Sequence, residues 1–338
     1  MRAAVPTLGA YTAVLHDRPL DDALAVLREL GLQGAEVNSG GFLPSVHLPV
    51  ADIRSSADAR AEYLGRFAAH DLTLTALNCN GNPLHPDPEV RLRHGRDVFE
   101  AIELAALLGV RRVVTMSGLP GTDPAGRLPA WAPLPWESSQ LDVRDYQWDE
   151  VAIPYWRQVQ ARAADADVRV CLEMHPHNVV YNPGTMLRLA ESIEATHVGA
   201  EMDPSHLMWQ GIDPVAAIGA LDGLVYNAAA KDVRINPAAR VHGVLADGHG
   251  RVDAGDPDAV PLGGRYTLSR WPEHSSWDFV AVGRGHDVAY WAEFLRALAS
   301  VDPDMAVNIE HEDAELDRVE GLRFAAETLR AAAERVPR

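Results

Sequence analysis

The chain repeats one unit eight times: a short apolar run, a polar loop, then an amphipathic stretch of helical period. Apolar runs fall at 5–10, 34–38, 72–78, 112–117, 168–174, 198–202, 224–230 and 305–310. Helical stretches fall at 20–30, 57–69, 89–108, 149–166, 185–194, 213–220, 287–299 and 317–335. Strands separated by helices predict a parallel sheet, because parallel neighbours need a crossover and a helix supplies one. Eight such units in 338 residues predict a closed (β/α)8 TIM barrel, with one domain spanning 1–338. A doubly wound open sheet is the rival, but its GxGxxG turn after strand one is absent. Gly283-Arg284-Gly285 comes late in the chain and lacks the third glycine. Gly31 and Gly109 stand just past predicted helices, where a left-handed cap belongs.

Apolar residues make up 47% of the chain, enough for a sizeable core. Lys and Arg total 30 against 48 Asp and Glu, a net charge of −18. Such a surface repels phosphate backbones and anionic lipid, so neither nucleic acid nor membrane is an expected partner. Cys79 and Cys171 are isolated in strand-like runs and predict no disulfide framework. The opening residues hold no apolar signal-peptide core, and no run reaches bilayer length. A cytoplasmic protein is therefore expected. Two loops, 118–148 after strand four and 232–286 after strand seven, are long and rich in Trp and Tyr. Both follow strands, so both are expected over the catalytic face, their aromatics touching a ligand, packing the loops down or forming a subunit interface.

Polar residues gather where the apolar runs stop. Glu173-Met-His175-Pro-His177 follows run five, Asp203-Pro-Ser-His206 run six, and Glu310-His-Glu-Asp313 run eight. In a barrel these ends converge on one mouth. A lone carboxylate there is usually a helix cap or an ion-pair partner. Three at one level would repel, and a divalent cation removes that cost. Carboxylate donors with at most one histidine suit Mn²⁺ first, then Mg²⁺ or Co²⁺. Glu173, Asp203 and Glu310 are thus the expected ligands. A metal so placed can chelate a hydroxyl and adjacent carbonyl of a sugar and stabilise an enediolate, while a base takes the proton α to the carbonyl. His175, His177 and Lys231 are candidates for that proton transfer. Glu36, Asn38, Asn78, Asn80, His206 and Arg284 are candidate substrate contacts.

The motifs Gly31-Leu-Gln-Gly-Ala-Glu36, Glu173-Met-His-Pro, Asp203-Pro-Ser-His206, Ala230-Lys231-Asp232, Val282-Gly-Arg-Gly-His-Asp287 and Asn308-Ile-Glu310-His-Glu-Asp313 make the chain similar to the xylose-isomerase-like barrels, the sugar phosphate isomerase/epimerase family. The resemblance covers nearly the whole chain. It implies that Glu173, Asp203 and Glu310 hold the metal together with a strand-seven histidine, and that Glu173 and Glu310 are the metal-side candidates for the proton transfer. That histidine is missing: the family pattern His-x-His-x-Lys-Asp reads Asn227-Ala-Ala229-Ala-Lys231-Asp232. His242, ten residues past Asp232, is expected to fill the place, with His175, His206, water or substrate as alternatives. The lost histidine and the aromatic loop also resemble the α subunit of C-glycoside deglycosidases. That branch implies elimination of the aglycone from a 3-oxo-C-glycoside and a small β-rich partner subunit. A sugar isomerase or epimerase is the alternative reading, and a sugar-binding barrel that has lost catalysis is the second. The related endonucleases carry three zinc ions and a basic groove, which the charge of −18 opposes.

Overall fold

Eight apolar runs close into a barrel in a computed structural model that describes residues 5–257 and 259–336. The barrel strands are β1 (Thr7–Tyr11), β2 (Gly34–Asn38), β3 (Thr73–Asn78), β4 (Arg112–Met116), β5 (Arg169–Glu173), β6 (Val198–Met202), β7 (Val225–Ala230) and β8 (Ala306–Ile309). Each pairs in parallel with its sequence neighbours, and β8 closes on β1 in the register Thr7–Ala306 to Ala10–Ile309. The (β/α)8 expectation therefore holds, with strand ends displaced by no more than two residues.

Helices cover the barrel from outside, and the main core lies between them and the strands. Trp156, Trp291, Phe67 and Phe294 are its largest fully buried side chains. Trp156 keeps its indole N–H satisfied by donating to the Ser117 carbonyl at 3.0 Å. Inside the barrel a small cluster of Ala76, Val114, Cys171 and Tyr226 is walled off from that core. Gly9 permits the tight crossing of β1, β2 and β8: a Cβ there would meet Asn308 Oδ1 at 2.4 Å and the Gly34 backbone at 2.7 Å. Helix starts follow their sequence marks. Asp87 caps Pro88–Leu108 with proline at its start, and Asn182 and Thr185 form a reciprocal cap on Pro183–Ile193.

The first long loop differs from expectation. A helix begins at Ser138, and a π-turn over Tyr146–Ala152 joins it to Ile153–Ala166. Pro154 explains the wide turn, since proline cannot donate to an ordinary helical ladder and crowds the preceding turn. The aromatics here mostly pack. Trp148 is buried under the Arg188 guanidinium, and Trp131 meets His177 and Tyr181 edge-on.

The second long loop is rooted by an antiparallel ribbon in which Asp232–Ile235 pairs with Trp277–Val280. Its middle, around Gly263 and Tyr266, reaches Val90 and His85 beyond β3, so the segment crosses the mouth. Trp277 stacks on Trp209 with ring centroids 5.1 Å apart, and Trp271 and Phe279 pack beside it. Asp232 anchors the return. It is fully buried and accepts the backbone N–H groups of Gly283, Gly285 and His286 at 3.0–3.1 Å, with the His286 ring 2.7 Å away. Asp232→Ala leaves these donors unpaired. A loss of about 3 kcal/mol in urea unfolding is expected, and a loss below about 1 kcal/mol would show that the anchor is dispensable.

Candidate metal centre

Strand alternation sets two polar layers at the upper end of the barrel. Along β6 and its end, Glu201 and Asp203 share a face; along β7, Asn227, Ala229 and Lys231 do; along β8, Asn308 and Glu310 do.

The inner layer is a closed carboxylate–amide network. Glu36 Oε1 accepts from Asn78 at 2.8 Å, and Oε2 accepts from Asn308 at 2.9 Å and Asn227 at 3.4 Å. Glu201 accepts from the same Asn227 amide at 2.9 Å. Burial pushes the Glu36 carboxyl up to about 7 against the pull of those amides. Burial, then the Glu36 charge, drives Glu201 well above the usual carboxylate range. Three expected substrate contacts are therefore spent on structure. Glu36 and Asn78 are enclosed in this network. Asn38 accepts the Tyr11 hydroxyl at 2.8 Å and donates to the Leu43 carbonyl at 2.8 Å. Glu201 escaped the sequence reading, although its place two residues before Asp203 on one strand face marked it.

The outer layer brings the three expected carboxylates together. Glu173, Asp203 and Glu310 each offer an oxygen within 4.8 Å of the others. Glu173 is held from below by Asn80, which donates to Oε2 at 2.7 Å. Asp203 has a double task. Its Oδ1 caps the turn Pro204–Met208 by accepting the Ser205 N–H at 2.8 Å and hydroxyl at 2.7 Å. Its Oδ2 is buried with no hydrogen-bond donor. His206, on that same turn, places Nε2 3.0 Å from Glu173 Oε1 and 3.2 Å from Asp203 Oδ2.

Lys231 supplies the local cation. Its ammonium donates to Glu312 at 2.8 Å, lies 3.6 Å from Glu310 and 3.9 Å from Asp203, and sits 4.5 Å from the Phe279 ring centre. Burial alone would lower its pKa, but the carboxylates, Glu310 foremost, outweigh that and hold it well above the ordinary value. One ammonium among four acids leaves negative charge uncompensated. Burial accordingly raises Asp203 to about 7 and Glu310 well above the usual range. A bare buried carboxylate oxygen, two further acids within 4.8 Å and this charge deficit fit a divalent cation held by oxygen donors.

His175 packs against His206 with ring centroids 4.0 Å apart and the rings tilted by 57°, and burial lowers its pKa to about 3. Its Nδ1 donates to the Pro176 carbonyl at 2.6 Å, which leaves Nε2 as an acceptor. Three other expected residues are not gathered here. His242 is exposed on the four-residue turn Ala239–His242, which follows the first strand of the ribbon, and belongs to neither cluster of possible ligands. Arg284 is engaged by Asp313 and Glu315, each at 2.5 Å, and serves the loop after the ribbon. His177 is exposed, with its backbone at φ 60°, and packs edge-on to Trp131.

The chain matches, over residues 24–332, the family described as the xylose isomerase-like TIM barrel. A protein of Bacillus subtilis (strain 168), the uncharacterized protein YfiH, is 33% identical over 327 residues, covering 96% of this chain and 98% of that one. Among solved structures, a xylose isomerase-like TIM barrel protein from Mycobacterium smegmatis in complex with magnesium has a TM-score of 0.61 at 14% identity, over 99% of both chains. D-psicose 3-epimerase from Clostridium cellulolyticum H10, solved with D-tagatose, has a TM-score of 0.58 at 12% identity, over 98% of this chain and 100% of that one. At such identities the two structures speak to fold. Among the described residues no helix is long and apolar enough to cross a membrane.

Proposed function

Taking as premise that the chain belongs to the xylose isomerase-like TIM barrel family, we propose that it is a divalent-metal-dependent enzyme, Mn²⁺ its first-choice ion, that moves a proton α to the carbonyl of a keto-sugar, as a sugar isomerase or epimerase does. The observation that carries this reading is the triad of carboxylates within 4.8 Å of one another beside a buried ammonium, with Asp203 Oδ2 left bare. Glu173, Asp203 and Glu310 would hold the ion, which when bound supplies Lewis-acid polarisation of the substrate carbonyl.

The chain's own groups do the rest. Glu310 is the most accessible of the three acids, its side chain 18% exposed, and is the carboxylate placed to take the proton. Glu173, pinned by Asn80 and His206, receives or returns a proton from its own side of the cluster. The Lys231 ammonium stabilises negative charge developing on the substrate oxygen. His175 Nε2 accepts a sugar hydroxyl. Return of the proton to the neighbouring carbon gives isomerisation, and return from the opposite face gives epimerisation. Ala229 in place of the strand-seven histidine favours a second reading, expulsion of an aglycone from a 3-oxo-glycoside, with a small β-rich subunit as partner.

Incubation of metal-loaded protein in D₂O with keto-sugars and 3-oxo-glycosides tests both. Isomerisation or epimerisation is expected to put deuterium on the reprotonated carbon, expulsion to leave a double bond at the α carbon and release the aglycone deuterated at the carbon that leaves, and Glu310→Gln to slow either about 100-fold or more. Turnover with no deuterium in any product would overturn the proton-transfer reading.

A further inference from the structure

Ala229 stands where the sequence pattern calls for a nitrogen donor, and its side chain ends at Cβ. We infer that His206 supplies that donor, so that the ion is held by Glu173, Asp203, Glu310 and His206 Nε2. The inference rests on the proposed reading only for the presence of an ion, not for any reaction.

The contacts around His206 carry it. Nε2 faces two carboxylate oxygens at once, Glu173 Oε1 at 3.0 Å and Asp203 Oδ2 at 3.2 Å. A neutral imidazole has one N–H, and here it goes to Glu173. Asp203 Oδ2, with Asp203 fully buried, is left with no donor. One proton cannot serve both acceptors, whereas one cation facing the Nε2 lone pair and both oxygens satisfies all three. The spacing agrees: metal–ligand bonds of about 2.1 Å put adjacent ligands about 3.0 Å apart in an octahedron and about 3.4 Å apart in a tetrahedron. The ring is also braced. It is three residues from Asp203 on one turn, Gln210 binds the His206 carbonyl at 2.6 Å, and the His175 and Phe279 rings flank it at 4.0 and 5.5 Å. His175 also shares a possible ligand group with Glu173 and His206. Among the described histidines, however, only His206 brings one ring nitrogen within 3.2 Å of two of the three acids.

The test uses the full chain loaded with Mn²⁺. Electron spin-echo spectroscopy should show coupling to a single histidine nitrogen, which changes on ¹⁵N-histidine labelling. It should vanish in His206→Gln and persist in His175→Gln and His242→Ala. Titration calorimetry should show His206→Gln binding Mn²⁺ at least about 100-fold more weakly. Should that variant fold poorly, the unsubstituted protein gives the answer. Loaded with ¹¹³Cd²⁺ and labelled with ¹⁵N-histidine, it should show one imidazole split by cadmium, with that ring in nuclear Overhauser contact with Phe279. A coupling that survives His206→Gln, or a split imidazole remote from Phe279, overturns the assignment. Bound metal with no nitrogen coupling overturns it while leaving the sugar enzyme standing. Absence of any bound metal overturns both, and nitrogen coupling without deuterium uptake overturns the reaction alone.

Discussion

Asp203→Asn is expected to lower turnover at least about 10³-fold and yet give a more stable metal-free protein at pH 8. The two effects have one origin. Asn keeps an oxygen for the Ser205 N–H and hydroxyl, so the cap on Pro204–Met208 survives. What changes is the other position, where a bare oxygen becomes an NH₂ beside His206 and the Lys231 ammonium. That group cannot ligate a cation, so metal content should fall with turnover. The substitution also removes a charge that burial disfavours, as the rise of the Asp203 pKa from 3.8 to about 7 shows. Elemental analysis, turnover on the substrate found in D₂O and urea unfolding of the stripped protein read the three consequences separately. Normal metal content in this variant would remove Asp203 from the ligand set.

The second large effect is a pH dependence of the metal-free protein that bound metal partly offsets. Asp203 and Glu36 both titrate near 7 when folded, against 3.8 and 4.5 as reference values. Their folded-state pKa values are raised, so the folded chain binds more protons than the unfolded chain between about pH 4 and pH 7. Stability is therefore greatest at the acid end of that window and falls as pH rises through 7. For Glu36 alone the shift corresponds to on the order of 3 kcal/mol. Metal-free protein should accordingly melt at a lower temperature at pH 8 than at pH 5.5. A divalent ion at about 100 times its dissociation constant should add about 2.7 kcal/mol, a rise in Tm of about 4 °C for a chain of this size. Glu36→Gln should flatten the metal-free pH profile without removing the response to metal, because Glu36 belongs to the inner network. Scanning calorimetry across pH, with and without metal, decides. Stability rising from pH 5.5 to 8 in the stripped protein would contradict the buried-acid account.

The barrel was legible because parallel strands covered on the outside read as apolar runs, and helices between them read as amphipathic stretches. Glu173, Asp203 and Glu310 were legible for a related reason, since an acid directly after an apolar run has one place to go in a barrel. Side-chain commitments were not. Nothing in Asn38 or Arg284 as residue types says that a tyrosine, loop carbonyls or neighbouring acids will occupy them. His242 fell outside the cluster because sequence distance along a loop carries no direction, and the chain leaves it exposed on the turn Ala239–His242. Glu201 could have been found by applying strand alternation backward from Asp203. The role of Phe279 over Lys231 depends on an antiparallel pairing between segments more than forty residues apart, which no local pattern encodes.

Because Asp232–Ile235 and Trp277–Val280 are zipped together at the rim, residues 236–276 form a cassette hung from two fixed posts. Lys231 precedes one post and Phe279 lies within the other, so both are positioned by the posts rather than by the cassette. Insertions, deletions and wholesale exchange inside the cassette can change which molecules are admitted while the ion-holding acids stay in place. Diversification of substrate choice in such a chain is thereby separated from preservation of its chemistry.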